Sequence, residues 1–212
     1  MLQGFSPSLF KRPDDWNKNL VVCGQWRDAG KPPSALPQAL QEFLAQPGYT
    51  LCVGFGSMLY KENTLGKILE NLAADLNIKI IWIQNWNSGD GPGYVPANDR
   101  LFVLGDCDHD ALFPQIDAVL HHGGSGTVHS AARHGKPQLI AWFMLDQSFW
   151  AVQTEALGLG LNLGPFQELN SDKLKHNIGL IADTGEMVAN CAATAHRMAL
   201  EDGVVSAVDR IF

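Results

Sequence analysis

Two rhythms of hydrophobic and polar positions alternate along this chain. Short apolar runs at residues 50–55 (TLCVGF), 79–84 (KIIWIQ), 101–104, 118–121 and 139–142 read as strands. Their near-continuous apolar character suits a parallel sheet buried on both faces. Between the first two lies 63–76, where Leu65, Ile68, Leu69, Leu72, Ala73 and Leu76 fall on one face at helical spacing. Residues 38–45, 149–157, 171–181 and 186–200 read as further helices, 110–113 as a helical turn before Pro114, and 20–23 and 161–163 as two short strands.

Punctuation fits this order. Asn170 or Ser171 can cap the helix at 171, and Thr184 the helix at 186. Residues 85–99, rich in Gly, Asn, Asp and Pro, read as a loop, and residues 1–19, broken by Pro7, Pro13 and a polar DDWNKN run, as a connector. Strand and helix alternating in this way predict an α/β fold: a Rossmann-like parallel sheet with helices on both faces. Ligands of such sheets sit at the carboxyl ends of the strands. Ser57, His122 and Asp146 each follow an expected strand, so they are expected to share one cleft.

Composition narrows the class. The 212 residues suit one domain with a terminal extension, and 46% hydrophobic with 17% charged residues is ordinary for a folded globular chain. A formal charge of −7 argues against a non-specific nucleic-acid surface. Cys23, Cys52, Cys107 and Cys191 show no CxxC spacing, so neither a metal site nor a disulfide framework is expected, and reduced thiols in the cytoplasm are the default. No secretory leader precedes the core and no apolar run reaches membrane-spanning length, although peripheral contact with the inner membrane surface stays open.

The chemistry concentrates in residues 118–147, AVLHHGGSGTVHSAARHGKPQLIAWFMLDQ. Here a strand ends in His121 and His122, a turn of Gly123, Gly124, Ser125, Gly126 and Thr127 opens a helix to about His134, and a second strand delivers Asp146 and Gln147. Small residues at a helix start let an anion approach backbone N–H groups, and the helix dipole favours it. Ser125 or Thr127 can cap the helix and offer a hydroxyl to phosphate. The turn matches neither GxGxxG nor the Walker pattern, which disfavours dinucleotides and ATP. Only one of the two histidines should face the cleft, because strand neighbours point to opposite faces. His129 and His134 read as surface or helix-packing residues, and Trp82 and Trp142 as core. Asp146 and Gln147 suit the vicinal hydroxyls of a sugar, with a plain N-cap as the alternative for Asp146. Ser57, after Gly54-Phe55-Gly56, is either a phosphate contact or part of a turn.

Gly54-Phe55-Gly56-Ser57, His121 through Thr127, Gly135-Lys136-Pro137 and Asp146-Gln147-Ser148-Phe149-Trp150 together resemble the UDP-glycosyltransferases, and most nearly the sterol and lipid glucosyltransferases. Gly4 through Ser8 and the pair Pro13 and Trp16 resemble the segment linking the two domains of those enzymes. The resemblance implies one half of a GT-B fold, with residues 1–19 as interdomain connector and 20–212 as the nucleotide-sugar donor-binding domain.

It also implies roles. His122, Gly124, Ser125, Gly126 and Thr127 would line the diphosphate, Ser57 would stand near the reaction centre, and Asp146 and Gln147 would hold the sugar. Val103, Asp106 and His109 would shape the base pocket, with Ser130 where plant relatives carry a ribose-binding glutamate. Met144-Leu145 and Ala151 depart from the usual Phe-Gly and Gly around the acid–amide pair. The implied reaction moves a hexose, glucose by resemblance, from a UDP-sugar to a hydroxyl of a lipid, sterol or other small acceptor with inversion. No metal or other cofactor is required. His122 and Ser57 would support the transition state, while no residue here supplies the general base, which the family carries in an amino-terminal acceptor-binding domain. That domain, or a separate subunit, is the expected partner. A non-catalytic nucleotide-sugar module and a UDP-sugar epimerase are the alternatives.

Overall fold

The computed structural model describes residues 1–28, 30, 32–58, 60–84 and 94–212. Residues 85–93, the larger part of the expected loop at 85–99, lie outside the described residues. Two short strands, β1 (Leu2–Gln3) and β2 (Val21–Val22), pair in parallel. The remainder builds one sheet from β3 (Thr50–Gly54), β4 (Lys79–Ile83), β5 (Leu101–Leu104), β6 (Ala118–His121), β7 (Gln138–Trp142) and β8 (Gly160–Pro165). Every pairing is parallel and the spatial order is β5-β4-β3-β6-β7-β8. The chain runs outward from β3 to β5, returns to place β6 beside β3, then runs outward the other way. The order therefore reverses between β3 and β6, where the loops leaving their carboxyl ends diverge and open a crevice.

The helices are α1 (Gln38–Ala45), α2 (Glu62–Asp75), α3 (His109–Leu112), α4 (Ser125–Arg133), α5 (Gln147–Ala156), α6 (Ser171–Asp183), α7 (Gly185–Ala199) and α8 (Gly203–Ile211). Strand alternation splits the core in two. Leu51, Val53, Ile80, Trp82 and Leu120 pack on one face against α2 and α4 to α7, while Cys52, Ile81 and Val119 pack on the other against α1 and α3. Each large aliphatic side chain removed from water contributes about 1.5–3 kcal/mol. This is the doubly covered parallel sheet expected from the apolar runs.

As expected, the Asn170 side chain caps α6 by accepting from the Lys173 N–H. Other details differ from expectation. The connector contains β1, and α8 follows the last expected helix. Thr184 makes no cap for α7, because its hydroxyl is turned back to the Leu180 carbonyl. The connector is also tied down. The Ser6 and Ser8 hydroxyls donate to Glu201 at 2.9 and 2.6 Å, and Phe5 and Phe10 pack against Trp150 and Phe149.

Candidate functional site

The crevice at the strand-order reversal is built around the turn between β6 and α4. His121, in register with Gly54 and Ile140, is fully buried. Its Nδ1 accepts from the Gly123 N–H at 3.1 Å and its Nε2 lies 2.9 Å from Gln138 Oε1. Those bonds fix the neutral form with the proton on Nε2. Burial, with the neighbouring His122, pushes its pKa down from 6.5 to about 3. His121 therefore braces the turn and His122 faces the crevice. Gly123 has φ of +84°, and a Cβ there would lie 2.8 Å from the Gln147 carbonyl oxygen, so only glycine lets the turn approach the start of α5 this closely.

Gly124 is the N-cap residue of α4, and the first turn has no side-chain cap. This corrects the expected capping by Ser125 or Thr127: both are inside the helix, where their hydroxyls cannot reach the orphan amides as an N-cap does. The Val128 N–H is the one that bonds back to the Gly124 carbonyl, which leaves the N–H groups of Ser125, Gly126 and Thr127 free of intrahelical acceptors. A Cβ on Gly126 would meet nothing within 4 Å, so the backbone there is open to approach. The His122 ring lies over Gly56 and Gly124, and its enclosed Nδ1 has no partner among the described residues. Burial lowers the His122 pKa, against the opposing pull of the Asp146 carboxylate.

On one side of this turn is a cavity of about 510 Å³, lined by Thr127, Asp106 and His109 of the expected set together with Cys52, Ile83, Gln84, Phe113 and Val119. His109 stacks on Phe113 with ring centroids 4.4 Å apart and planes 12° apart, and burial lowers its pKa. Val103 does not belong to this cavity. It packs against the opposite core, because alternation along β5 turns Phe102 and Leu104 to the cavity side. Ser130, one turn beyond Thr127, is 5% exposed, and its hydroxyl has no partner among the described residues.

On the other side is the loop between β7 and α5. Asp146 is exposed and its carboxylate accepts from Trp150 Nε1 at 3.0 Å, not from the helix amides, so it is no plain N-cap. Gln147 is 5% exposed and already engaged: its Oε1 accepts from the Phe143 and Met144 N–H groups at 2.8 and 3.1 Å. The oxygen of the amide expected to face a sugar braces its own loop, and its Nε2 lies 3.6 Å from Met58 Sδ. Ser57 is exposed in the turn after β3. Leu145 sits at φ of +58°, so this loop keeps a left-handed residue where the resemblance expected glycine.

The order is thus cavity, free helix amides with His122, then Asp146. His122 feels His109 from one side and Asp146 from the other. Among the described residues no group of His, Cys, Asp or Glu could hold a metal ion, and no helix is long and apolar enough to cross a membrane. Phe113, Ile83 and Gln84 were missed from sequence. Phe113 was readable four residues after His109, whereas Ile83 and Gln84 enter only through strand pairing.

Residues 67–207 match the family described as erythromycin biosynthesis protein CIII-like, C-terminal domain. The chain belongs to this family. It is a GT-B glycosyltransferase domain, homologous to sterol and lipid glucosyltransferases and to natural-product glycosyltransferases. It is 29% identical over 222 residues to the sterol 3-beta-glucosyltransferase of Yarrowia lipolytica and 28% identical over 219 residues to that of Pichia angusta. Those matches span 100% of this chain but 15% and 17% of the relatives. Among solved structures, the glycosyltransferase of kitacinnamycin superposes with a TM-score of 0.78 at 18% identity, covering 99% of this chain and 53% of that one. VinC, solved in complex with dTDP, gives 0.71 at 23%, covering 97% and 50%. This GT-B domain therefore spans about half the length of the solved relatives and less than a fifth of the curated ones.

Proposed function

We propose that the chain is the donor-binding domain of a glycosyltransferase that moves a hexose, glucose by its likeness to the sterol glucosyltransferases, from a UDP-sugar to a hydroxyl of a lipid, sterol or other small acceptor, with inversion. One observation carries this reading: the free amides of α4 and His122 lie between a cavity that fits a base and the exposed carboxylate of Asp146. The base would enter beside His109 and Phe113, with Ser130 toward the ribose. The diphosphate would lie over Ser125, Gly126 and Thr127, and the sugar hydroxyls would reach Asp146. Gln147 contributes by holding the loop, and Ser57 borders the reaction centre.

As the bond to the anomeric carbon breaks, the leaving diphosphate gains charge. Preorganised amides and His122 stabilise it, a single well-placed donor being worth about 2.7–4 kcal/mol. Attack by the acceptor oxygen from the opposite face inverts the anomeric carbon. A base outside this chain takes the acceptor proton, in an amino-terminal acceptor-binding domain or subunit. The apolar face of α8 supports such a partner, since Val204, Val205, Val208 and Ile211 are all exposed there. A place in the cytoplasm, at the inner membrane surface, belongs to the same proposal.

Calorimetry with UDP and UDP-glucose tests the reading. His122→Ala should weaken both, and Asp146→Ala should weaken UDP-glucose much more than UDP. Absence of binding at millimolar nucleotide would overturn it. A thymidine nucleotide is the second reading, favoured by the dTDP bound to VinC. Competition between UDP and dTDP decides between them.

A further inference from the structure

The amino-terminal segment touches both parts of the donor site through side chains that no ligand would reach. At the first contact, the Ser6 N–H donates to His129 Nε2 at 3.0 Å, and His129 Nδ1 lies 2.7 Å from the carbonyl oxygen of Ser125, the residue that opens α4. A backbone N–H only donates and a carbonyl only accepts, so this pair of bonds selects neutral imidazole with its proton on Nδ1. His129 is 1% exposed, so water cannot replace either partner. At the second contact, the Phe5 ring meets Trp150 edge to face at 5.7 Å, and Trp150 Nε1 donates to Asp146 Oδ2. The two hubs also touch, with the His129 and Trp150 rings 5.1 Å apart. Glu201 anchors the segment from behind by accepting from the Ser6 and Ser8 hydroxyls.

We propose that His129 and Trp150 are positioning residues through which residues 5–8 set the donor site, His129 orienting the phosphate turn and Trp150 orienting the sugar-binding carboxylate, a role that rests on the donor-site reading above. Each hub hands one backbone or ring contact from the segment to one group that faces the donor. The segment thereby couples to diphosphate and sugar separately, and the two couplings are separable by mutation.

Calorimetry on the full chain with UDP and with UDP-glucose tests this, beside circular dichroism and thermal unfolding of each variant. His129→Phe keeps the ring against Trp150 and removes both hydrogen bonds, so UDP and UDP-glucose should weaken alike, by roughly five- to tenfold. Trp150→Phe removes the bond to Asp146 and keeps a smaller ring against Phe5 and His129, so UDP-glucose should weaken roughly fivefold while UDP stays within about twofold. Phe5→Ala touches neither the phosphate turn nor Asp146, yet should reproduce the second pattern in weaker form. Folded variants with the affinities of the parent chain overturn the coupling. So does a uniform loss in all three that follows their loss of thermal stability, the signature of a merely structural role. If His129→Phe fails to fold, the split between UDP and UDP-glucose in Phe5→Ala decides alone. A parent chain that binds no nucleotide overturns the donor-site reading and the coupling together, whereas a parent chain that binds, with unmoved variants, overturns only the coupling.

Discussion

Acid should destabilise this domain through His121 well before its carboxylates titrate. The imidazole is fully buried, accepts from Gly123 on one nitrogen and meets Gln138 on the other, so a second proton has no acceptor to go to. Its folded pKa of about 3 lies below the unfolded value near 6.5. A depressed folded pKa contributes stability that is fully present above pH 6.5 and is lost as pH falls toward 3, because the unfolded chain takes the proton first. Each pH unit in that window removes about 1.4 kcal/mol, so roughly 2 kcal/mol should be gone by pH 5. His109, His122 and His129 are shifted the same way and add to the slope. Urea unfolding measured from pH 7.5 to 4.5 reads this directly. His121→Gln keeps a neutral donor near Gln138 but cannot titrate. It should cost about 1–2 kcal/mol at pH 7.5 from the lost Gly123 partner, and its stability should fall less steeply below pH 6.5 by about one proton's worth. An unchanged slope in that variant would refute the assignment.

Three further outcomes are expected. Gly123→Ala forces a side chain into φ of +84° and into contact with the Gln147 carbonyl and Ile140, and should cost about 3 kcal/mol, a fall in Tm of roughly 10 °C by calorimetry. Leu145→Gly relieves the left-handed strain at φ of +58° beside Asp146; part of the gain is offset by glycine's freer unfolded chain, leaving about 0.5–1 kcal/mol of added stability in a urea titration. Lys79 is 3% exposed and its ammonium caps the carbonyls of Phe43, Leu44 and Gln46 at the end of α1. Lys79→Met should strand those carbonyls and cost about 2–3 kcal/mol, with hydrogen exchange accelerated first in α1.

Most of the sheet was legible because buried parallel strands leave apolar runs, five of which the chain shows, and the residues singled out from sequence gather at the crevice because they follow those strands. What escaped has a physical reason in each case. A continuous apolar run hides its own phase, so nothing in 101–104 said that Val103 faces away from the cavity while its neighbours face it. The same ambiguity left His121 and His122 undecided until the register with Gly54 and Ile140 buried the first. β1 is two residues long and exists only through pairing with β2. α8 was missed because its apolar positions do not face the core of this chain. The Gln147 amide chemistry fits a sugar, but its oxygen also fits the two N–H groups of its own turn, a bracing role that depends on loop geometry no spacing in the sequence reveals.

Helix α4 explains why so many of these contacts depend on one short stretch. At 3.6 residues per turn its faces point to different tasks. Thr127 lines the cavity, His129 meets the amino-terminal segment, Val128 and Ala132 enter one core and Ala131 the other. At its far end Arg133 and His134 both hold Asp110, at 2.6 and 3.0 Å. Burial alone would raise the Asp110 pKa, but those two bonds outweigh it and hold the carboxyl near 2. α3 is thereby fixed to the carboxyl end of α4 while the free amides at its amino end face the crevice. A ligand at those amides and the His109–Phe113 stack beside the cavity are therefore attached to one rigid rod. Loosening the Asp110 clamp should disturb the cavity beside His109 and Phe113 through α3 without touching the turn between β6 and α4.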